Sequence, residues 1–164
     1  MKKTNIDNEV DFYGVWNIDK VVLQSKMYTG TIMDGDFEEN IYDSADYIGM
    51  EIEYDPDYFR LGSEVYTNPE YAITNMTVKK INEGGIFYNP DLYEFIIKNK
   101  IQIFNENNYE YLSEVPLLQV EVNFSEEIKY GDLSFIPVGV QTIVLNENTM
   151  LIGLWGEILL AYKT

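Results

Sequence analysis

The chain contains no cysteine and no histidine. Without cysteine there is no disulfide, no thiol nucleophile and no thiolate metal site. Without histidine the Ser-His-Asp and Cys-His arrangements are excluded, and so is the commonest ligand of zinc and iron sites. Arginine is nearly absent: Arg60 stands alone, and eleven bases in all face twenty-eight acids, a formal charge of −17 over 164 residues. So acidic a surface repels nucleic-acid phosphates and anionic headgroups, so no nucleic-acid partner is expected, whereas a basic protein is permitted. No apolar run approaches the about 20 residues of a membrane-spanning helix, so no membrane span is expected. Residues 1–9 have the charged start of a signal peptide but no apolar stretch behind it. The chain therefore reads as cytoplasmic, or as a secreted protein from which a signal has been removed.

The length fits one domain over 1–164, large enough to bury about 70% of its unfolded surface without staples. Fifteen asparagines, eighteen isoleucines and fourteen tyrosines are present. These residues have AT-rich codons, so an AT-rich bacterial genome accounts for much of the tyrosine content without any demand from function.

The dominant pattern is period two between turn residues, the signature of half-buried strands. Phe12, Gly14, Trp16, Ile18 and Val22 share one face of a first strand, with Tyr13, Asn17 and Asp19 opposite. Ile48, Met50, Ile52 and Tyr54 alternate with Gly49, Glu51 and Glu53, which predicts the first set inward and the two glutamates outward. Asp55-Pro56-Asp57 reads as a turn, returning through 58–61. Here Phe59 and Leu61 make the better core pair, so Arg60 points outward. Further strands are expected over 71–81, 101–104, 118–124 and 135–145. Leu118, Val120 and Val122 should face inward, and Gln119 and Glu121 outward. Pro137 and Gly139 suggest a bend or bulge. Residues 151–163 read as a final hairpin turning near Gly156-Glu157. Asn89-Pro90 predicts a helix over 91–98, with Asp91 and Glu94 early and Lys98 late. A second short helix is expected within 36–44.

Gly14-Val15-Trp16 in the first strand and Leu159-Leu160-Ala161-Tyr162-Lys163 in the last resemble the two ends of the calycin group, the lipocalins and their small bacterial relatives. The resemblance implies that Trp16 packs across one end of a barrel with the basic side chain of Lys163 against it. It also implies an apolar cavity for a small ligand. The departures are a lysine in place of the family's usual arginine, no Thr-Asp-Tyr motif between the later strands and no C-terminal helix.

Residues 27–59 hold ten carboxylates and no base, interleaved with Tyr28, Tyr42, Tyr47, Tyr54 and Tyr58. Acids steer a basic partner and tyrosines supply rigid contact area, so Tyr42, Tyr47, Glu51 and Glu53 form a candidate partner surface. A solvated acidic face is the simpler reading of the same run. Asp34-Gly35-Asp36-Phe37-Glu38-Glu39 lacks EF-hand spacing and reads as an acidic loop, so no metal site is expected. No carboxylate pair stands out from the acids, and neither Gly84-Gly85 nor Gly153-x-x-Gly156 has the Lys-Ser/Thr of a phosphate loop. No catalytic residue and no cofactor are therefore nominated.

The sequence thus predicts an all-β fold: an antiparallel up-and-down β-barrel of about eight strands with one or two short helices, a monomer or weak dimer. The expected role is a non-catalytic, lipocalin-like carrier or sensor of a small apolar molecule, whose ligand-binding residues the sequence does not specify. The alternative is an acidic protein-binding module, such as an immunity protein or inhibitor of a basic partner.

Overall fold

The computed structural model describes residues 11–24, 44–83, 89–105, 108–124, 138–154 and 156–164. Strand β1 (Gly14–Leu23) is followed by a 3-10 turn (Ser44–Tyr47) and by β2 (Glu51–Tyr54), β3 (Tyr58–Leu61), β4 (Glu64–Thr67) and β5 (Pro69–Thr77). Among the described residues four short helices then intervene, α1 (Val78–Asn82), α2 (Leu92–Lys98), α3 (Lys100–Phe104) and α4 (Tyr109–Ser113). The chain closes with β6 (Pro116–Phe124), β7 (Gln141–Asn146), β8 (Thr149–Leu154) and β9 (Glu157–Lys163).

Among the described residues all nine strands are antiparallel and lie in the order β4-β3-β2-β1-β9-β8-β7-β6-β5. Apart from the β1–β9 junction, every neighbour in the sheet is a neighbour in sequence, so this is an up-and-down β-barrel that is nearly closed. The seam lies between β4 and β5. Aromatic side chains bridge it: Phe124 of β6 sits 5.9 Å from Phe59 and 5.2 Å from Tyr66, and Tyr71 of β5 sits 6.3 Å from Tyr54.

Alternation sorts the apolar residues into two cores. Trp16, Ile18, Ile52, Phe59, Val120, Val144, Met150, Ile152, Leu159 and Ala161 fill the barrel interior. Their strand neighbours Ile143, Leu145, Leu151, Ile158 and Leu160 point the other way, against Val78, Ile81, Leu92, Ile96 and Leu112 of the helices. That second layer explains why 149–154 and 157–161 are apolar almost without interruption: a strand covered on both faces has no polar side to alternate with.

Several expectations need correction. The 101–104 run is helix α3, not a strand. Asn99 sits at its start and Asn105, with φ 52°, at its end, while Asn146 Nδ2 bonds Ile103 O at 2.8 Å to hold it on β7. A short apolar run does not by itself distinguish strand from buried helix. The 71–81 strand stops at Thr77, whose hydroxyl caps α1. Ile48 is 48% exposed, because the chain is still in a turn there and β2 starts only at Glu51. In β1, irregularities at Asp19 and Val22 break the alternation, so Val21 joins the barrel core and Val22 the helix-side core. The short helix expected within 36–44 lies outside the described residues except at Ser44, which opens the 3-10 turn.

Candidate functional site

One end of the barrel is organised by the two termini of the sheet. Trp16 lies opposite Ile52 on β2 and Lys163 on β9, and it has no exposed surface. Its indole N–H would be an orphan in the core, but it donates to Phe12 O at 2.9 Å. Lys163 lies beside the ring, with Nζ 5.5 Å from the centroid, and donates to Asp11 O at 2.9 Å. The glycine of Gly14-Val15-Trp16 has a specific task here. A Cβ at Gly14 would come within 3.0 Å of Lys163 Cε, and its φ of +121° suits glycine alone. The residues 11–14 are thereby strapped over the barrel end, with Phe12 buried among Tyr13, Tyr54 and Tyr71.

The interior behind this end is occupied. Tyr54 reaches across the barrel from β2, and its hydroxyl donates to Gly139 O at 2.7 Å, just ahead of β7. Full burial pushes its phenol pKa far above the usual tyrosine range, so the hydroxyl stays a donor at every ordinary pH. Gly139 comes so close to the opposite wall that a Cβ there would sit 2.9 Å from both Ile52 Cδ1 and Tyr54 Oη. Trp16, Ile18, Ile52, Phe59, Val120, Val144, Met150, Ile152, Leu159 and Ala161 are fully buried around it.

The candidate partner surface is only partly assembled. Tyr42 lies outside the described residues. Tyr47 is half-buried against the barrel core, held by its 3-10 turn, whose Ser44 hydroxyl bonds the Glu157 carboxylate. Glu51 and Glu53 do share the outer face of β2, but an adjacent base engages them. Arg60 Nε bonds Glu53 at 2.9 Å, Arg60 Nη2 reaches Glu51 at 3.4 Å, and Tyr58 donates to Glu53 at 2.8 Å. The Tyr58 hydroxyl and then the Arg60 guanidinium hold the Glu53 carboxyl below its ordinary value, and the same carboxylate raises the pKa of Tyr58 and Arg60. This network arises because Glu53 and Arg60 are cross-strand partners, with Tyr58 two residues along the same face. Glu51, with its side chain half exposed, keeps the freer carboxylate.

The described surface also carries an open groove of about 320 Å³ on the helical side, lined by Phe104, Tyr111, Glu114, Val115 and Pro116. It lies outside the barrel. No motif in the sequence marks these residues, and Phe104 falls in the run whose periodicity fits a strand as well as helix α3. The Tyr54–Gly139 bond leaves only two traces in the sequence, the inward parity of Tyr54 and the glycine after Val138. No helix among the described residues is long and apolar enough to cross a membrane.

No protein-family model, curated protein or solved structure matches the chain.

Proposed function

We propose that this protein is a calycin-like barrel working as an acidic, non-catalytic binding module that meets a basic protein partner on its outer surface. The bridged interior carries this reading: Tyr54 spans the barrel to bond Gly139, and a Cβ at Gly139 would meet Ile52 and Tyr54 at 2.9 Å. Function then moves to the outside, where a charge of −17 favours cationic partners and speeds their encounter. A carrier of a small apolar ligand is the second reading. The pairing of Trp16 with Lys163 favours it, since that pair is what the resemblance to ligand-carrying barrels rests on.

Titration with fatty acids and anilinonaphthalene dyes, alongside lysine-rich peptides, separates the two. The binding module should leave the apolar probes unbound. It should take the cationic peptide with an affinity that falls about tenfold or more between about 50 and 300 mM salt, as screening weakens surface attraction. Saturable dye or fatty-acid binding that ignores salt would overturn the proposal in favour of the carrier.

A further inference from the structure

Strand β5 is paired on one side only among the described residues. Its nine residues match β6 in unbroken register from Pro69–Phe124 to Thr77–Pro116. Among the described residues the sheet has no further strand beyond β5. The direction of its free groups follows from β6. Val122 N–H donates to Val140 O, so the backbone of Val122 is turned toward β7. Its opposite residue, Tyr71, must then turn both N–H and C=O away from β6. Alternation places Ile73 and Asn75 in the same class, while Ala72 and Thr74 bond to β6. Pro69 obeys the same rule: its missing N–H falls on the free side and costs no ladder bond.

Edge strands are usually protected by charge, proline or a bulge. From Tyr71 to Thr77 this edge has none of these, and Ile73 at its middle is 48% exposed. Its two faces differ. Ile73 shares the inner face with Val120, and Tyr71 shares it with Val122. On the outer face Glu70 is exposed, and Ala72 lies opposite Glu121. The lysines at 79 and 80 lie past the end of the strand, and Lys80 is already within 3.6 Å of Glu83. A second copy of the chain would bring another −17 to this edge, so self-pairing is disfavoured.

We propose that the free edge of β5 is the docking strand for the basic partner. An extended segment of that partner joins the sheet beside Tyr71, Ile73 and Asn75 by main-chain hydrogen bonds. Its alternate residues are apolar, against Tyr71 and Ile73, and basic, toward Glu70 and Glu121. The inference rests on the basic-partner reading and specifies where and how that partner binds.

Amide hydrogen exchange on the full chain, followed by NMR with and without a blocked peptide of alternating valine and lysine, tests it. In the free protein the amides of Ala72 and Thr74 should exchange slowly, and those of Tyr71, Ile73 and Asn75 quickly. The peptide should slow the latter three by about tenfold or more, as new ladder bonds would. A valine–glutamate peptide should leave them unchanged. Ile73→Pro removes the central outward N–H and should abolish the protection. Ile73→Lys, which keeps the β6 ladder, should weaken peptide binding several-fold by placing like charge at the edge. Peptide binding without protection at these three amides would overturn the β5 assignment and leave the basic-partner reading standing. Three amides already slow in the free protein would also overturn the assignment. Absence of any binding by the cationic peptide would overturn both.

Discussion

Replacing Gly139 by alanine probes how tightly the barrel interior is packed. The added Cβ would lie 2.9 Å from Ile52 Cδ1, 2.9 Å from Tyr54 Oη and 3.2 Å from Ile52 Cγ2. Ile52 and Tyr54 are themselves buried, at 0% and 1% exposure, so neither can swing into solvent. The backbone at φ +95° adds a separate cost of about 1–2 kcal/mol for an L-residue. Overpacking a closed core costs about 1–3 kcal/mol, so the sum is about 2–5 kcal/mol. Against a typical stability of about 5–15 kcal/mol this should be measurable without abolishing the fold. Ile52→Val then removes one of the two closest atoms, Cδ1, and leaves Tyr54 Oη in place. On its own that change should cost about 0.5–1.5 kcal/mol. In the Gly139→Ala background it should cost less than it does alone, a favourable coupling of about 0.5–1 kcal/mol that leaves the backbone strain and the Tyr54 contact untouched. Urea unfolding of the four proteins, with unchanged m-values, measures all the terms. If Gly139→Ala costs less than about 0.5 kcal/mol, or the two changes simply add, then the interior has spare room and the argument for a filled barrel fails.

Two other outcomes follow from the same geometry. Trp16→Ala should cost about 3–5 kcal/mol, the range for truncating a large buried aromatic, read from the shift in urea midpoint; a loss below about 1 kcal/mol would mean that the barrel end is loosely packed. Glu53 has a folded-state pKa below its ordinary 4.5, so its network stabilises the protein above that value, and the contribution fades as pH falls through the lowered one. The stability gap between the wild type and Glu53→Gln should therefore be widest near neutrality and close under acid. Because the Tyr58 hydroxyl is the leading cause, Tyr58→Phe should bring the Glu53 carboxyl back toward 4.5 in an NMR titration; an unchanged value would show that the hydrogen bond does not act on it.

The legible parts of the fold were those where one face was wet and the other dry. Glu51 and Glu53 against Ile52, and Gln119 and Glu121 against Leu118, Val120 and Val122, fix parity, and a register slip would bury charges. Trp16 and Lys163 could be placed together only through the resemblance of the first and last strands to the ends of calycin barrels. What the sequence did not disclose were features set by tertiary packing. Ile101 and Ile103 fit a strand as well as a helix, and Asn99 and Asn105 decided the matter only once β7 was there to hold α3. Strand β4, Glu64-Val65-Tyr66-Thr67, is short and lies at the sheet edge, so it lacks the apolar alternation that marks a strand. The engagement of Glu51 and Glu53 by Arg60 was hidden for a similar reason. Arg60 was correctly turned outward, but only the β2–β3 register places it against both carboxylates.

The joint between β1 and β9 also constrains how the protein can be made. Lys163 bonds Asp11 across 152 residues of chain, and Thr164 bonds Val15 across 149. During synthesis the first strand can fold against β2 early, but its other edge must wait for nearly all the remaining sequence to leave the ribosome. Until then β1 offers Trp16, Ile18 and Val21 with no β9 to cover them. Contacts this distant in sequence slow folding and prolong the time in which an open edge can find the wrong partner. The heavy negative charge then acquires a second use, keeping half-made chains apart while the barrel waits for its last stave.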